Sequence, residues 1–170
     1  VDSDRTLTSV SMTQSVLAGG TIQAGSNGTL EKIAGADAWN AGASSTEYIG
    51  GQNEGYVQFQ IGQTGKDLKT GLVYADVDYG DADPFEMTFS GTDVSIGGSV
   101  RTTYASADFF RIRHDSSNNQ IVYQKRQTTS NGLEYVTFYT DPTTTNGSNL
   151  YFDTSFYHLN GRINDVTMVV

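Results

Sequence analysis

The sequence predicts an all-β protein built as a two-sheet antiparallel β-sandwich. Three observations carry this: apolar and polar residues alternate with period two in run after run, helical periodicity is almost absent, and Gly/Asn-rich turn signals separate the runs at short spacing. No linker or internal repeat divides the 170 residues, which is enough chain to bury roughly 70% of the unfolded surface in one core.

Taken in order, the first seventeen residues differ from the rest. Arg5 to Leu17 is Thr/Ser-rich and free of Gly and Pro, with Leu7, Val10, Met12 and Val16 spaced for a strand that bends or carries a bulge. It can be an edge strand of the same sandwich, or an arm that completes a neighbouring subunit's sheet by strand addition. The expectation taken forward is the arm, residues 1–17, followed by a single sandwich domain, residues 18–170. The clearest strand is Tyr56 to Ile61, where Val57, Phe59 and Ile61 share one face and Tyr56, Gln58 and Gln60 the other. Similar runs occupy 70–75, 85–89, 109–114, 120–125, 133–139, 150–157 and 162–169. Turn signals lie between them at Gly50-Gly51, 62–66, 80–84, Gly97-Gly98, 116–119, 130–132 and 146–149.

Composition narrows the function. There are 10 basic and 19 acidic residues, a net charge of −9, which argues against nucleic acid or an anionic membrane as partner. No apolar run is long enough to span a bilayer. The absence of Cys excludes a disulfide scaffold, thiol catalysis and a Cys-ligated zinc site. The chain begins at Val1 with no charged n-region or apolar h-region, which fits a removed secretory signal and an extracellular or cell-surface location. Sequons at Asn27 and Asn146 are candidate N-glycosylation sites, although a chain this rich in Ser, Thr and Asn produces such matches by chance.

From Leu30 onward a series of blocks falls in a specific order: Leu30-Glu31-Lys32, Trp39-Asn40-Ala41-Gly42-Ala43, Gly55-Tyr56-Val57-Gln58-Phe59, Gly71-Leu72, Tyr104-Ala105, Asp108-Phe109-Phe110-Arg111-Ile112 and Ile121-Val122-Tyr123-Gln124. Together they resemble a concanavalin A-like lectin/glucanase domain of secreted proteins, over about residues 29–170. The resemblance implies a jelly roll of two antiparallel sheets serving carbohydrate binding, adhesion or structure, with some glucanases among its members. The glucanase branch carries two carboxylates on one strand as Glu-x-Asp-x-x-Glu, close enough for acid and nucleophile. Here Glu31, Glu47, Glu54, Glu86 and Glu134 all lack those partners, and His114 and His158 each follow an apolar strand face, so no enzyme is expected.

Trp39 is expected to pack in the core or cap the sandwich, with a sugar-stacking platform as the alternative. Tyr56, Tyr135 and Tyr139 are candidate glycan contacts, against which stands ordinary packing on a sheet face. Asp76, Asp78, Asp81 and Asp83 crowd around Tyr79-Gly80 and offer oxygens for Ca2+; the alternative is a solvated turn before Pro84. Arg101, Arg111, Arg113, Lys125 and Arg126 form the main basic group, on three neighbouring strands. The function expected from these features is a non-catalytic subunit of an extracellular filament or adhesive layer, polymerising with copies of itself through residues 1–17. The alternative is a monomeric lectin-like module that binds carbohydrate.

Overall fold

The computed structural model describes residues 8–9, 11–15, 21–25, 28–75 and 84–170. Among them are fifteen strands and no helix: β1 (Thr8–Ser9), β2 (Met12–Ser15), β3 (Thr21–Ala24), β4 (Leu30–Ala34), β5 (Ala41–Ile49), β6 (Gly55–Ile61), β7 (Leu68–Val73), β8 (Phe85–Ser90), β9 (Asp93–Ile96), β10 (Ser99–Thr103), β11 (Phe109–Asp115), β12 (Gln120–Thr129), β13 (Gly132–Thr144), β14 (Leu150–Phe156) and β15 (Arg162–Val169). They form two antiparallel sheets. The first runs β13-β12-β11-β6-β15-β4-β3 with β1 added beside β15, and the second runs β10-β9-β8-β7-β14-β5-β2.

The period-two pattern places the core between the sheets. β6 turns Val57, Phe59 and Ile61 inward, β11 turns Phe110, Ile112 and His114, and β8 turns Phe85, Met87 and Phe89. At the centre the ring of Phe59 lies 5.5 Å from that of Phe152 and 6.4 Å from that of Phe110, and Phe89 meets Phe110 edge-on at 5.1 Å. Phe59 and Phe110 belong to the first sheet and Phe89 and Phe152 to the second, so these contacts join the two layers.

The strands expected at 56–61, 85–89, 109–114 and 162–169 are present with small changes at their ends, and β12 and β13 run longer than the alternation indicates. β13 continues through Pro142, which an outermost strand tolerates because its missing N–H faces no partner. Five elements, β3, β4, β5, β9 and β10, lie outside the expected runs. β5 is made largely of small residues with little strand propensity, yet it is buried, and Ser45 Oγ accepts the Phe152 N–H at 2.9 Å. β9 and β10 form a hairpin whose polar residues hide the alternation. Its turn is nonetheless explicit, because Gly97 and Gly98 have φ of 58° and 75°, the two positive angles a tight I′ hairpin needs.

The described part of the N-terminal segment pairs within its own chain. β1 pairs with β15, filling the length of that strand that β4 leaves free, and β2 pairs with β5 from Met12↔Ser45 to Ser15↔Gly42. Met12 packs against the core, and the Thr46 N–H donates to the Ser11 carbonyl at 2.9 Å. The described part of residues 1–17 is therefore an edge element of its own sandwich. Pairing within the chain satisfies the open edge of β5 without the entropy loss of bringing in a second molecule. Leu7, Val10 and Val16 lie outside the described residues.

Lys32 is fully buried at the end of the sandwich. Its Nζ donates to the carbonyls of Ala36 at 2.7 Å, Ala38 at 2.8 Å and Tyr157 at 2.7 Å, with the Phe156 carbonyl at 3.4 Å. Three ammonium protons thus tie the β4–β5 loop to the end of β14, an arrangement a buried cation requires. Burial pulls the Lys32 pKa below its usual 10.5, and Asp37 opposes the shift. Because the unfolded chain holds this proton more tightly, the contribution of Lys32 to stability rises with pH up to about 10.5.

Replacing Lys32 by Met is expected to lower folding stability by about 2–4 kcal/mol, the loss of charge-assisted hydrogen bonds less the desolvation recovered. Denaturant unfolding of both proteins checks this, and an unchanged midpoint would contradict the cage. Removing residues 1–15 is expected to destabilise the domain by about 1–4 kcal/mol, at a net ~0.5–1.5 kcal/mol per backbone hydrogen bond. An arm that pairs only with a neighbour would leave monomer stability untouched.

Candidate functional site

Four adjacent strands of the first sheet, β6, β11, β12 and β13, present a single outward face. With Phe110, Ile112 and His114 inward, Phe109, Arg111 and Arg113 must point out. Register then sets their neighbours: Arg111 lies opposite Gln58 on one side and Gln124 on the other, and Arg126 opposite Tyr135. The row Gln58–Arg111–Gln124–Thr137 crosses all four strands.

Arg111 is the centre of the cluster. Its guanidinium carbon stands 3.9 Å from the ring centroid of Tyr56 and 3.8 Å from that of Tyr135, so tyrosines from β6 and β13 hold a cation between them. Arg111 Nη2 donates to Gln58 Oε1 at 3.0 Å, and Gln124 Nε2 donates to Thr137 Oγ1 at 3.2 Å. Arg126 stacks on Phe109, its guanidinium carbon 3.6 Å from the ring. Arg113 is ion-paired with Glu54. Two buried atoms on this face, Arg111 Nε and Gln124 Oε1, have no hydrogen-bond partner.

A bulge in β13 decides which tyrosines share the face. Tyr123 pairs with Tyr139 while the next residue, Gln124, pairs with Thr137, which leaves Phe138 as the extra residue. Strict alternation would put Tyr135 and Tyr139 on the same face. The bulge instead keeps Tyr135 outward and turns Phe138 and Tyr139 toward the core, where Tyr139 packs on Tyr123 at 5.9 Å. Tyr139 also carries Arg101 of the second sheet over its ring at 4.1 Å. Of the four aromatic candidates, then, Tyr56 and Tyr135 meet around Arg111 and Tyr139 does not join them. Trp39 sits elsewhere, at the Lys32 end of the sandwich, edge-on to Tyr157 at 5.4 Å and beneath Lys69 at 5.0 Å.

Phe109, Gln58 and Gln124 complete the face without having been singled out as site residues. The signal was present in the alternation Phe109-x-Arg111-x-Arg113 beside Tyr56-x-Gln58, but it needed the register of β6 against β11 to be legible. The basic group is likewise only partly one surface: Arg111, Arg113 and Arg126 face outward here, Lys125 turns to Asp108 at 2.7 Å, and Arg101 belongs to the other sheet.

Asp76, Asp78, Asp81 and Asp83, and Asn27, lie outside the described residues, and among those described no group of three His or carboxylate side chains is placed to hold a metal. A cavity of about 270 Å³ beside Pro84 is lined by Glu86 and Asp141, with Glu86 ion-paired to Lys69 at 3.1 Å. Asn146 is exposed in the turn between β13 and β14, its Oδ1 accepting the Ser148 N–H at 2.9 Å. Other carboxylates are engaged locally: Glu47 accepts the Ser11 N–H, and Glu134 the Thr129 hydroxyl. His114 is buried, with Nδ1 2.7 Å from the Asn53 carbonyl and Nε2 3.2 Å from Thr145 Oγ1, and His158 lies between Asp37 and Asp67.

No family model and no curated protein matches the chain by sequence. Solved structures match it in shape. The SPRY domain of human HERC1 aligns with a TM-score of 0.57 at 12% identity, over 87% of this chain and 92% of that one. The TRIM65 PSpry domain aligns at 0.57 and 10% identity, over 99% of this chain and 92% of its own. The metal-free form of lectin I-B4 from Griffonia simplicifolia aligns at 0.52 and 9% identity, over 94% and 95%. These are concanavalin A-like jelly rolls, and the chain has that fold.

Burial pushes the Tyr135 hydroxyl above its ordinary value of 10.0, while Arg111 and then Arg126 draw it back. Burial also raises Tyr123 and Tyr104. A tyrosine that stays neutral in the folded state but ionises near 10.0 when unfolded leaves the unfolded chain with fewer protons above that pH, so stability falls as pH rises. Tyr123, whose buried hydroxyl has no partner, is expected to dominate. Tyr123→Phe should flatten the alkaline decline and add about 1 kcal/mol near neutrality. Thermal unfolding across the alkaline range checks both signs.

Proposed function

We propose that this chain is a non-catalytic, lectin-like carbohydrate-binding module, with the outward face of β6, β11, β12 and β13 as its binding surface. The observation that carries this is the convergence of Tyr56 and Tyr135 on Arg111 among Gln58, Gln124 and Thr137. Saccharides are bound by aromatic rings that take the apolar C–H face and by amide and guanidinium donors that take the hydroxyls. This face holds both, on strands rather than mobile loops. The fold shared with the Griffonia lectin supports the same class of ligand.

The absence of catalysis is supported by the carboxylates, since Glu54, Glu86, Glu47 and Glu134 are each committed to a partner within the chain. Polymerisation through residues 1–17 is the weaker reading, because β1 and β2 already pair with β15 and β5 of the same molecule.

A glycan array followed by titration of the best ligands tests the assignment. Tyr56→Ala and Tyr135→Ala are each expected to weaken binding by about threefold to tenfold, the worth of one aromatic contact. Trp39→Phe, at a ring that packs on Tyr157 and Lys69 and not on this face, should leave affinity unchanged. Uniformly flat binding across the array, or loss with Trp39→Phe alone, would remove this face as the site.

A further inference from the structure

The platform lies on the most basic part of an acidic chain. Of the four cations on β11 and β12, Arg113 is paired with Glu54 and Lys125 with Asp108. Arg111 and Arg126 have no carboxylate partner among the described residues. A shortage of acids does not explain this, since acidic residues outnumber basic ones by 19 to 10. The two guanidiniums are held by rings instead, Arg111 by Tyr56 and Tyr135 and Arg126 by Phe109.

Stacking and ion pairing occupy different parts of a guanidinium. A ring covers its flat face and fixes its plane, while its N–H donors point outward in that plane, in a fork that matches the two oxygens of a carboxylate. Arg111 gives one N–H to Gln58, and Arg126 gives none to any described residue. Tyr135 links the two cations, lying opposite Arg126 in register while stacking on Arg111, and its hydroxyl feels both. The result is a pair of oriented cations with unused donors beside two tyrosine rings. Buried Arg111 Nε also lacks a partner, a position that packing alone does not account for.

We propose that the saccharide taken by this face is anionic, a sugar bearing a carboxylate of the uronate or sialate kind, held by the in-plane donors of Arg126 and Arg111 and laid beside Tyr135 and Tyr56. The proposal rests on the carbohydrate-binding function above and narrows it to a charged class. The net charge of −9 opposes anion binding by the chain as a whole, so any preference for an anion must come from local cations such as these.

The test uses the full chain and matched probes: trigalacturonate against its methyl ester, and sialyllactose against lactose, titrated by calorimetry at low and raised salt. At least one acid is expected to bind about ten- to a hundredfold more tightly than its neutral counterpart, the worth of a charge-assisted hydrogen-bond pair, and to weaken as salt rises. Which acid is preferred identifies the uronate or the sialate as the source of the carboxylate. Arg126→Gln should abolish the preference, acid and neutral sugar then binding alike, with an unchanged thermal midpoint. Arg126→Lys should restore part of it. Because Arg126 carries the test, an Arg111→Gln variant that fails to fold does not blunt it. Equal binding of acid and neutral sugar by the unaltered chain, lost in Tyr56→Ala and Tyr135→Ala, overturns the anionic assignment and leaves the platform in place. A sulfated oligosaccharide binding more tightly than either acid overturns the carboxylate. No binding to any probe, charged or neutral, overturns both readings together.

Discussion

Phe110 is packed between the first sheet's Phe59 and the second sheet's Phe89, and this contact fixes much of what lies on the opposite side of its strand. A β-strand alternates with period two, so a residue locked inward locks its neighbours outward. With Phe110 in the core, Phe109 and Arg111 have one available direction, and the antiparallel register of β11 against β6 and β12 then chooses Gln58 and Gln124 as the neighbours of Arg111. A slip of one residue would place a guanidinium in the aromatic core and a phenylalanine in water. The penalty for that slip is the burial energy of the core, and the geometry of the outward face is held with the same strength.

The bulge in β13 adds a second constraint that alternation alone lacks. It lets one strand serve the core with two consecutive aromatics, Phe138 and Tyr139, and still send Tyr135 outward to Arg111. Without it the core would lose one ring at the margin where β13 has no further strand beside it. The bulge therefore separates packing from display along a single outermost strand. Bulges are enriched at sheet edges, where they re-aim side chains in this way. Pro142, further along the same strand, also keeps the long edge from acting as an open template for another chain.

Much of this fold was legible in the sequence because its central strands obey a simple rule. β6, β8 and β11 alternate cleanly, each facing the core on one side and solvent on the other. β5 was not legible, since its Ala, Gly and Ser residues carry no alternation and are nonetheless buried between the neighbouring strands β14 and β2. The β9–β10 hairpin hid behind polar residues although Gly97-Gly98 marked its turn. Half of the site was readable in the same terms: Tyr56 and Tyr135 could be named as exposed aromatics, but their meeting at Arg111 depends on strands far apart in the chain, and the exclusion of Tyr139 depends on one bulged residue. The pairing of the N-terminal segment was hidden for a similar reason. A Thr/Ser-rich strand with few apolar residues pairs equally well with any open edge, and only three-dimensional proximity shows that β5 and β15 of the same molecule offer one.

Two buried or half-buried cations show how differently this chain treats positive charge. Lys32 is enclosed, and its ammonium donates to backbone carbonyls that neutralise its hydrogen-bonding capacity within the fold. Its role ends at the loops it joins. Arg111 is placed on a sheet face between two rings and gives only one N–H to a side chain, so its donors are oriented without being consumed. A stabilising cation and a binding cation differ in this respect more than in burial. Desolvation draws both pKa values down, but Lys32 is satisfied by acceptors the chain provides, whereas Arg111 and its neighbour Arg126 are left facing a surface with capacity to spare. Two guanidiniums held flat by aromatic rings, with no carboxylate partner among the described residues of a chain that has acids in surplus, are the groups on which the proposed binding by the outward face of β11 and β12 rests.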